Sequence, residues 1–293
     1  MWYHKENYLV CKGVRRMIVR AYAKLNLTLS ILERREDGCH DLHSVMQTVS
    51  LCDVIRLQKD PEILVACDSS EIDPSDNIAF RAANAFFQHT GIQGGVAIEI
   101  DKCIPVAAGL GGGSADAAAV LCGLNDLYDA GLDYQRLREL AAEIGADVPF
   151  CIEGGLALCE GKGEKVTQLD ALPVTAVVIA RTGQKPSTGG MYRKLDELRA
   201  QNGDTPAADT RILSADTVWE VAEALSNDFL PLWEETPSTE NMQLMREYGA
   251  IGVNLTGSGP SVYGLFEDWQ AAQDCVDALE RMGRDAWLCS TTE

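Results

Sequence analysis

Apolar and polar positions along the chain follow two rhythms, one of period two and one near 3.6. From Met17 to Leu32, β-branched and aliphatic residues predict a strand, interrupted by Lys24 and Asn26, and a second strand is predicted over 45–57. Ile78, Ala82, Ala85 and Phe86 recur at helical spacing and predict a helix over 77–87, followed by the period-two strand Val96–Ile100. An alanine-rich stretch predicts a helix over 115–128. Leu137, Leu140, Ala141 and Ile144 share a face of another over 133–144, with Asp133 as its N-cap and Gly145 as its stop. Later, 174–180 reads as a buried strand, 191–200 as a helix, 201–210 as a polar surface loop, 262–266 as a strand and 269–282 as a last helix. The stretch 155–163 reads as a crossing between two lobes. The elements mix without a strict βαβα order, so the expected class is α+β, with mixed sheets, helices and two lobes. No internal repeat or low-complexity tract interrupts them.

Composition narrows the function classes. The chain has 293 residues with 44 acidic and 25 basic side chains, a formal net charge of -19. Such a surface repels nucleic acid and anionic membranes, while a local ring of cations and backbone N–H groups still allows an anionic substrate. No apolar run approaches the ~20 residues of a membrane span. The ten cysteines form no C-x-x-C pair, and Cys67, Cys122 and Cys275 stand in apolar surroundings, as buried thiols in a reducing compartment do. The cytoplasm is the expected address. Residues 1–16 have neither a signal-type apolar core nor the periodicity of the rest of the chain, and read as an extension ahead of a fold beginning near Met17.

The segment richest in chemistry is Pro105 to Leu121, PVAAGLGGGSADAAAVL. Gly109, Gly111, Gly112 and Gly113 precede Ser114 and a helix. Without β-carbons the backbone can approach a polyphosphate and adopt positive φ, and the helix start offers free N–H groups and the positive end of its dipole. The string lacks the G-K-[ST] of a P-loop, and a dinucleotide fingerprint would need glycine where Ser114 stands. The plain alternative is a tight turn with close helix packing.

This stretch resembles the central motif of the GHMP kinase superfamily (galactose, homoserine, mevalonate and phosphomevalonate kinases). Three further blocks agree in order: Ala21-Tyr22-Ala23-Lys24-Leu25-Asn26-Leu27 with the following Arg35 to His40, then Gly145 to Phe150, then Leu255 to Ser261. The resemblance covers the chain from about Met17 onward. It implies a two-lobed fold with the site in a cleft between an N-terminal ATP-binding domain, 17–157, and a C-terminal domain, 158–293. The triple-glycine form is similar to that of the branch that transfers the ATP γ-phosphate to the 2-hydroxyl of 4-diphosphocytidyl-2-C-methyl-D-erythritol in the non-mevalonate isoprenoid pathway. ATP with Mg²⁺ and this small molecule are the implied partners, with no nucleic acid or membrane, for a monomer or homodimer. Phosphorylation of another alcohol, such as homoserine or a sugar, and a non-catalytic ATP-binding sensor are the alternatives.

The resemblance also implies roles. Asp147 is the candidate general base, with an N-cap before Pro149 as its plain alternative. Lys24 would sit beside it, keeping the carboxylate ionised and stabilising the transferring group; a snorkelling edge lysine is the alternative. Pro105, Gly109, Leu110, Gly111, Gly112, Gly113 and Ser114 would hold the phosphates, Ser114 also reaching Mg²⁺ or serving as a helix N-cap. Asn77 and Lys102 fall at positions that in the family lie around the adenine, though Asn77 also makes a good N-cap and Lys102 a good turn residue. Asn26 shares the face of Lys24 at spacing two and could bond the substrate or face solvent. His40, Thr188 and Tyr192 fall where the family holds the cytidine end; Tyr192 could equally be an ordinary half-buried tyrosine. Gly257 and Ser258 complete the substrate side and support the phosphate loop. The aromatic expected before His40 is Cys39 here. His43 reads as structural rather than as a metal ligand with Cys39 and His40.

Overall fold

A computed structural model describes residues 8–11, 14–70, 77–183 and 187–292. Ahead of Met17, β1 (Tyr8–Cys11) pairs antiparallel with the start of β2 (Val14–Asn26), Tyr8 opposite Met17. The extension expected over 1–16 therefore holds two paired strand segments where it is described. The run Tyr8-Leu9-Val10-Cys11 is rich in strand formers, and pairing with β2 satisfies the backbone groups on one side of it. Residues 1–7 and 12–13 lie outside the described residues.

The chain forms two compact units. One takes the described residues of Met1–Lys24, Leu51–Ala107 and Gly111–Gly154. In it the second half of β4 (His40–Asp60) pairs antiparallel with β6 (Gly95–Asp101), from Val54 opposite Asp101 to Asp60 opposite Gly95. On its other side β6 pairs in parallel with β5 (Leu64–Cys67). The helices are α1 (Ile78–Thr90), α2 (Gly112–Leu127), α3 (Tyr134–Ile144) and α4 (Val148–Glu153). Helix α2 is buried without interruption from Ala115 to Leu124, and Asp116 is the one charged residue among its buried positions. A helix apolar all round belongs at the centre of a core. Ile55, Leu57, Phe86, Ile98, Leu121 and Leu124 belong to that core.

The other unit takes Leu25–Ser50, Ala108–Leu110 and the described residues from Gly155. Here β3 (Thr28–Arg34) and β7 (Leu156–Gly161) flank the first half of β4, β8 (Lys165–Gln168) pairs with β7, and β10 (Ser226–Asn227) pairs in parallel with β3. A second, antiparallel sheet has the order β11 (Gly252–Leu255), β12 (Val262–Phe266), β9 (Ala176–Arg181), β13 (Asp285–Ser290). Helices α5 (Thr188–Asn202), α6 (Val218–Ala224), α7 (Pro237–Glu247) and α8 (Trp269–Arg281) complete it, over a core that includes Leu29, Ile31, Val178, Phe229, Leu255 and Phe266.

The expected α+β class is what the structure has. The strand predicted over 17–32 is two strands broken at Leu27, and the stretch 155–163 is largely strand β7, whose edges its flanking glycines punctuate. Phe86 is fully buried in the first core. Phe86→Ala is expected to cost ~3–5 kcal/mol in urea unfolding, and a cost below ~1 kcal/mol would show that α1 does not anchor that core.

Candidate active site

Helix α2 begins three residues earlier than its sequence suggests. Gly111 is its N-cap, in the left-handed region at φ 69°, and Gly112 is its first residue. Ser114 therefore lies in the first turn and is not the cap. The cause is steric. A β-carbon on Gly111 would stand 2.8 Å from Cγ of Lys24, so the lysine stem fills the space that any other residue would need. Ala107, Gly109 and Gly111 all have positive φ, at 55°, 83° and 69°. Such alternation turns successive backbone N–H groups toward one side, which suits an anion. The first N–H groups of α2 lack partners inside the helix and add to that field.

Lys24, on β2 and 4% exposed, reaches Asp147 with 3.7 Å from Nζ to Oδ2; the carboxylate is 31% exposed. The structure thus brings together the two residues expected to act as a pair. Asp147 precedes α4 without capping it, since its side chain makes no cap hydrogen bond. The capping alternative is not what the structure shows, nor is a snorkelling Lys24. Asn77 does cap α1, accepting from the Ala79 N–H at 2.9 Å. Pro105 is half-buried, and Leu110, which belongs to the second unit, is buried.

Lys102 stands just past β6, with its ammonium between two carboxylates, 2.5 Å from Oδ2 of Asp53 and 2.8 Å from Oδ2 of Asp116. Burial alone would lower the lysine pKa; the two carboxylates overcome that and raise it. Burial pushes the Asp116 carboxyl up to about 7, the Lys102 ammonium pulling against that and the Asp53 charge adding to it. Asp53 lies outside the motifs read in the sequence, and Asp116 lies inside the glycine-loop motif without a role assigned to it there. Each is a lone acid in an apolar stretch, which is the signal that could have found them.

In the second unit, Asn26 is 1% exposed, so the solvent-facing alternative does not hold. Its amide donates to Ser44 Oγ at 2.8 Å and accepts from the Gly257 N–H at 2.9 Å. The Thr256 hydroxyl donates to the carbonyl of Gly109 at 3.2 Å, and a β-carbon on Gly109 would stand 2.3 Å from the Thr256 carbonyl. The third motif thus abuts the middle of the glycine loop, and its Ser258 is buried. His40 opens β4, buried, with Nε2 2.9 Å from Oδ1 of Asp196. Its ring lies 5.2 Å from that of Tyr192, which packs edge-on against Phe229. Thr188 opens α5, the helix carrying Tyr192 and Asp196. His40 lines a cavity of about 540 Å³ with Leu32, Arg34, Asp196 and Arg199, while Cys39 is exposed. His40 and His43 sit three apart on one strand and so face opposite sides.

The raised Asp116 pKa has a consequence for stability. Because the folded value lies above the ordinary 3.8, the native state loses stability as pH rises from about 4 through about 7. Asp116→Asn cannot ionise, so its melting temperature relative to the parent protein is expected to rise across that window. A difference that stays flat with pH contradicts a buried, raised Asp116.

Residues 77–155 match the GHMP kinases N terminal domain family, and 239–285 the GHMP kinases C terminal family. A 4-diphosphocytidyl-2-C-methyl-D-erythritol kinase of Caldicellulosiruptor saccharolyticus is 40% identical over 284 residues, covering 94% of this chain and 97% of that protein. One from Clostridium botulinum is 38% identical over 282 residues, covering 94% and 100%. A crystal structure of a 4-(cytidine 5'-diphospho)-2C-methyl-D-erythritol kinase superposes with a TM-score of 0.73 at 32% identity, covering 94% of this chain and all of that one. With near-full-length identity of 40% to one such enzyme, and glycine loop, lysine and aspartate held as described, the chain belongs to the 4-diphosphocytidyl-2-C-methyl-D-erythritol kinase family of GHMP kinases.

Proposed function

We infer that the chain phosphorylates the 2-hydroxyl of 4-diphosphocytidyl-2-C-methyl-D-erythritol with ATP, a step of the non-mevalonate isoprenoid pathway. The observation that carries this reading is the 40% identity, over nearly the whole of both chains, to a kinase of that name.

The proposed division of labour starts at the glycine loop. Pro105, Gly109, Leu110, Gly111, Gly112, Gly113 and Ser114 form the seat for the phosphates of ATP, with the adenine assigned to the neighbourhood of Asn77 and Lys102. Phosphoryl transfer asks the protein mainly to position reactants and neutralise charge. Asp147 accepts the proton of the acceptor hydroxyl as its oxygen bonds to the γ-phosphorus and the bond from that phosphorus to the ADP oxygen breaks; its part-exposure and freedom from capping support that role. Lys24 orients Asp147 and offsets charge on the transferring group, from a buried place where a cation acts more strongly than in water. Mg²⁺, a hard cation that prefers oxygen donors, would enter with the ATP phosphates and find the Ser114 hydroxyl on the first turn of α2.

His40 and Tyr192, with Thr188, are assigned to the cytidine end, Tyr192 supplying the aromatic surface that Cys39 does not. Asn26, Gly257 and Ser258 are assigned to the rest of the substrate side, where the engaged amide of Asn26 gives it a supporting part. The division into 17–157 and 158–293 belongs to the same reading, and the two family matches fall one on each side of it. No helix among the described residues is long and apolar enough to cross a membrane. We place the protein in the cytoplasm, as a monomer or homodimer.

The test is ADP release with the cytidine substrate offered beside homoserine, galactose and mevalonate. The cytidine compound is expected to be the one turned over, with Asp147→Asn lowering kcat ~100- to 10,000-fold. Turnover of a different alcohol would overturn the substrate assignment. A fully active Asp147→Asn would overturn the base.

A further inference from the structure

The cluster around Lys102 sits where the phosphate seat begins and where it ends. On the entry side, Oδ1 of Asp53 accepts the N–H groups of Cys103 and Ile104, at 2.6 and 2.8 Å, directly before Pro105. On the exit side, Asp116 hangs from the start of α2. Between them Lys102 bridges both carboxylates, and its Nζ lies 3.4 Å from where a β-carbon on Gly112, the first residue of α2, would stand. Asp53 on β4 is wholly buried, so it cannot reach a nucleotide.

Stability alone gives a weak reason for such a cluster. Replacing buried ion pairs by packed apolar groups is often neutral or stabilising, because desolvation offsets the attraction. What the pairs supply is direction. Two short contacts, one from a strand and one from a helix, leave the ammonium one position.

We propose that Asp53, Lys102 and Asp116 form a brace that sets the spacing between the entry of the glycine loop and the start of α2, and so aims the helix N–H groups at the phosphates of ATP. Asp53 and Asp116 are positioning residues, acting through Lys102 and the backbone. The proposal rests on the ATP-dependent reading above and goes beyond it, because it assigns ATP affinity to two carboxylates that repel the nucleotide by charge.

Asp53→Asn is the decisive variant, since it keeps the shape and the acceptor for the two N–H groups while removing the charge that holds Lys102. The dissociation constant of ATP by calorimetry is measured with Mg²⁺ present, with KM for ATP and for the cytidine substrate. Both ATP constants are expected to rise about tenfold, a modest share of the ~100-fold that a 1 Å misplacement can cost, while KM for the cytidine substrate moves less than about twofold. Lys102→Met should lose at least as much ATP affinity and Lys102→Arg should recover most of it. Should Asp53→Asn fail to fold, Asp116→Asn gives the same readout in alkaline buffer, where the parent's Asp116 is ionised. A folded Asp53→Asn or Asp116→Asn that binds ATP as the parent does overturns the brace, and loss confined to Lys102 variants would mean that the lysine grips the nucleotide itself. A parent protein that binds no ATP would sink the kinase reading, and the brace with it.

Discussion

The stem of Lys24 occupies the volume that a side chain on Gly111 would need, and the start of α2 and the placing of the lysine both depend on that contact. It obliges the N-cap of α2 to be glycine in the left-handed region and fixes where the helix starts. It also delivers the lysine ammonium, from among the buried residues Ala21, Ala23 and Leu25, to within 3.7 Å of Asp147. One packing constraint therefore couples the backbone that would receive phosphate to the charged pair that would act on the acceptor. A larger residue at 111 would disturb both.

A chain of net charge -19 must still accept a polyanionic donor and a diphosphate-bearing acceptor. The structure resolves this by keeping its useful positive potential local and buried. Lys24 and Lys102 are each nearly inaccessible and each faces carboxylate. Unmatched positive potential comes instead from the backbone, through the free N–H groups of α2 and the alternating positive φ of the loop before it. Such dipoles cannot be deprotonated and need no solvent to reorganise when charge moves, which suits phosphoryl transfer.

How much of this is legible in the sequence depends on range. Local rules locate Asn77 and Asp133 as caps, and both side chains make the bonds those rules require, at 2.9 and 2.8 Å. The glycine loop stands out because so many glycines serve no ordinary turn. Its helix reads as starting at Ala115, because glycine is a poor helix former and nothing nearby shows that Lys24 excludes a β-carbon at 111. Strands β7 and β13 escape the sequence pattern because their pairing partners lie far away along the chain, and sheet pairing is a tertiary property. The same distance hides Asp53, 49 residues from the lysine it holds, whereas Asp116 is visible as a lone charge among alanines.

All of these features serve one reaction, the movement of the ATP γ-phosphate onto the 2-hydroxyl of the cytidine-bearing erythritol. Phosphorus-31 nuclear magnetic resonance of a complete reaction tests it most directly, because it identifies the bond that forms. A new phosphomonoester resonance coupled through carbon to the 2-position is expected, growing in step with ADP while the diphosphate signals of the substrate persist. Inorganic phosphate growing in its place, or a phosphomonoester at any other carbon, would contradict it.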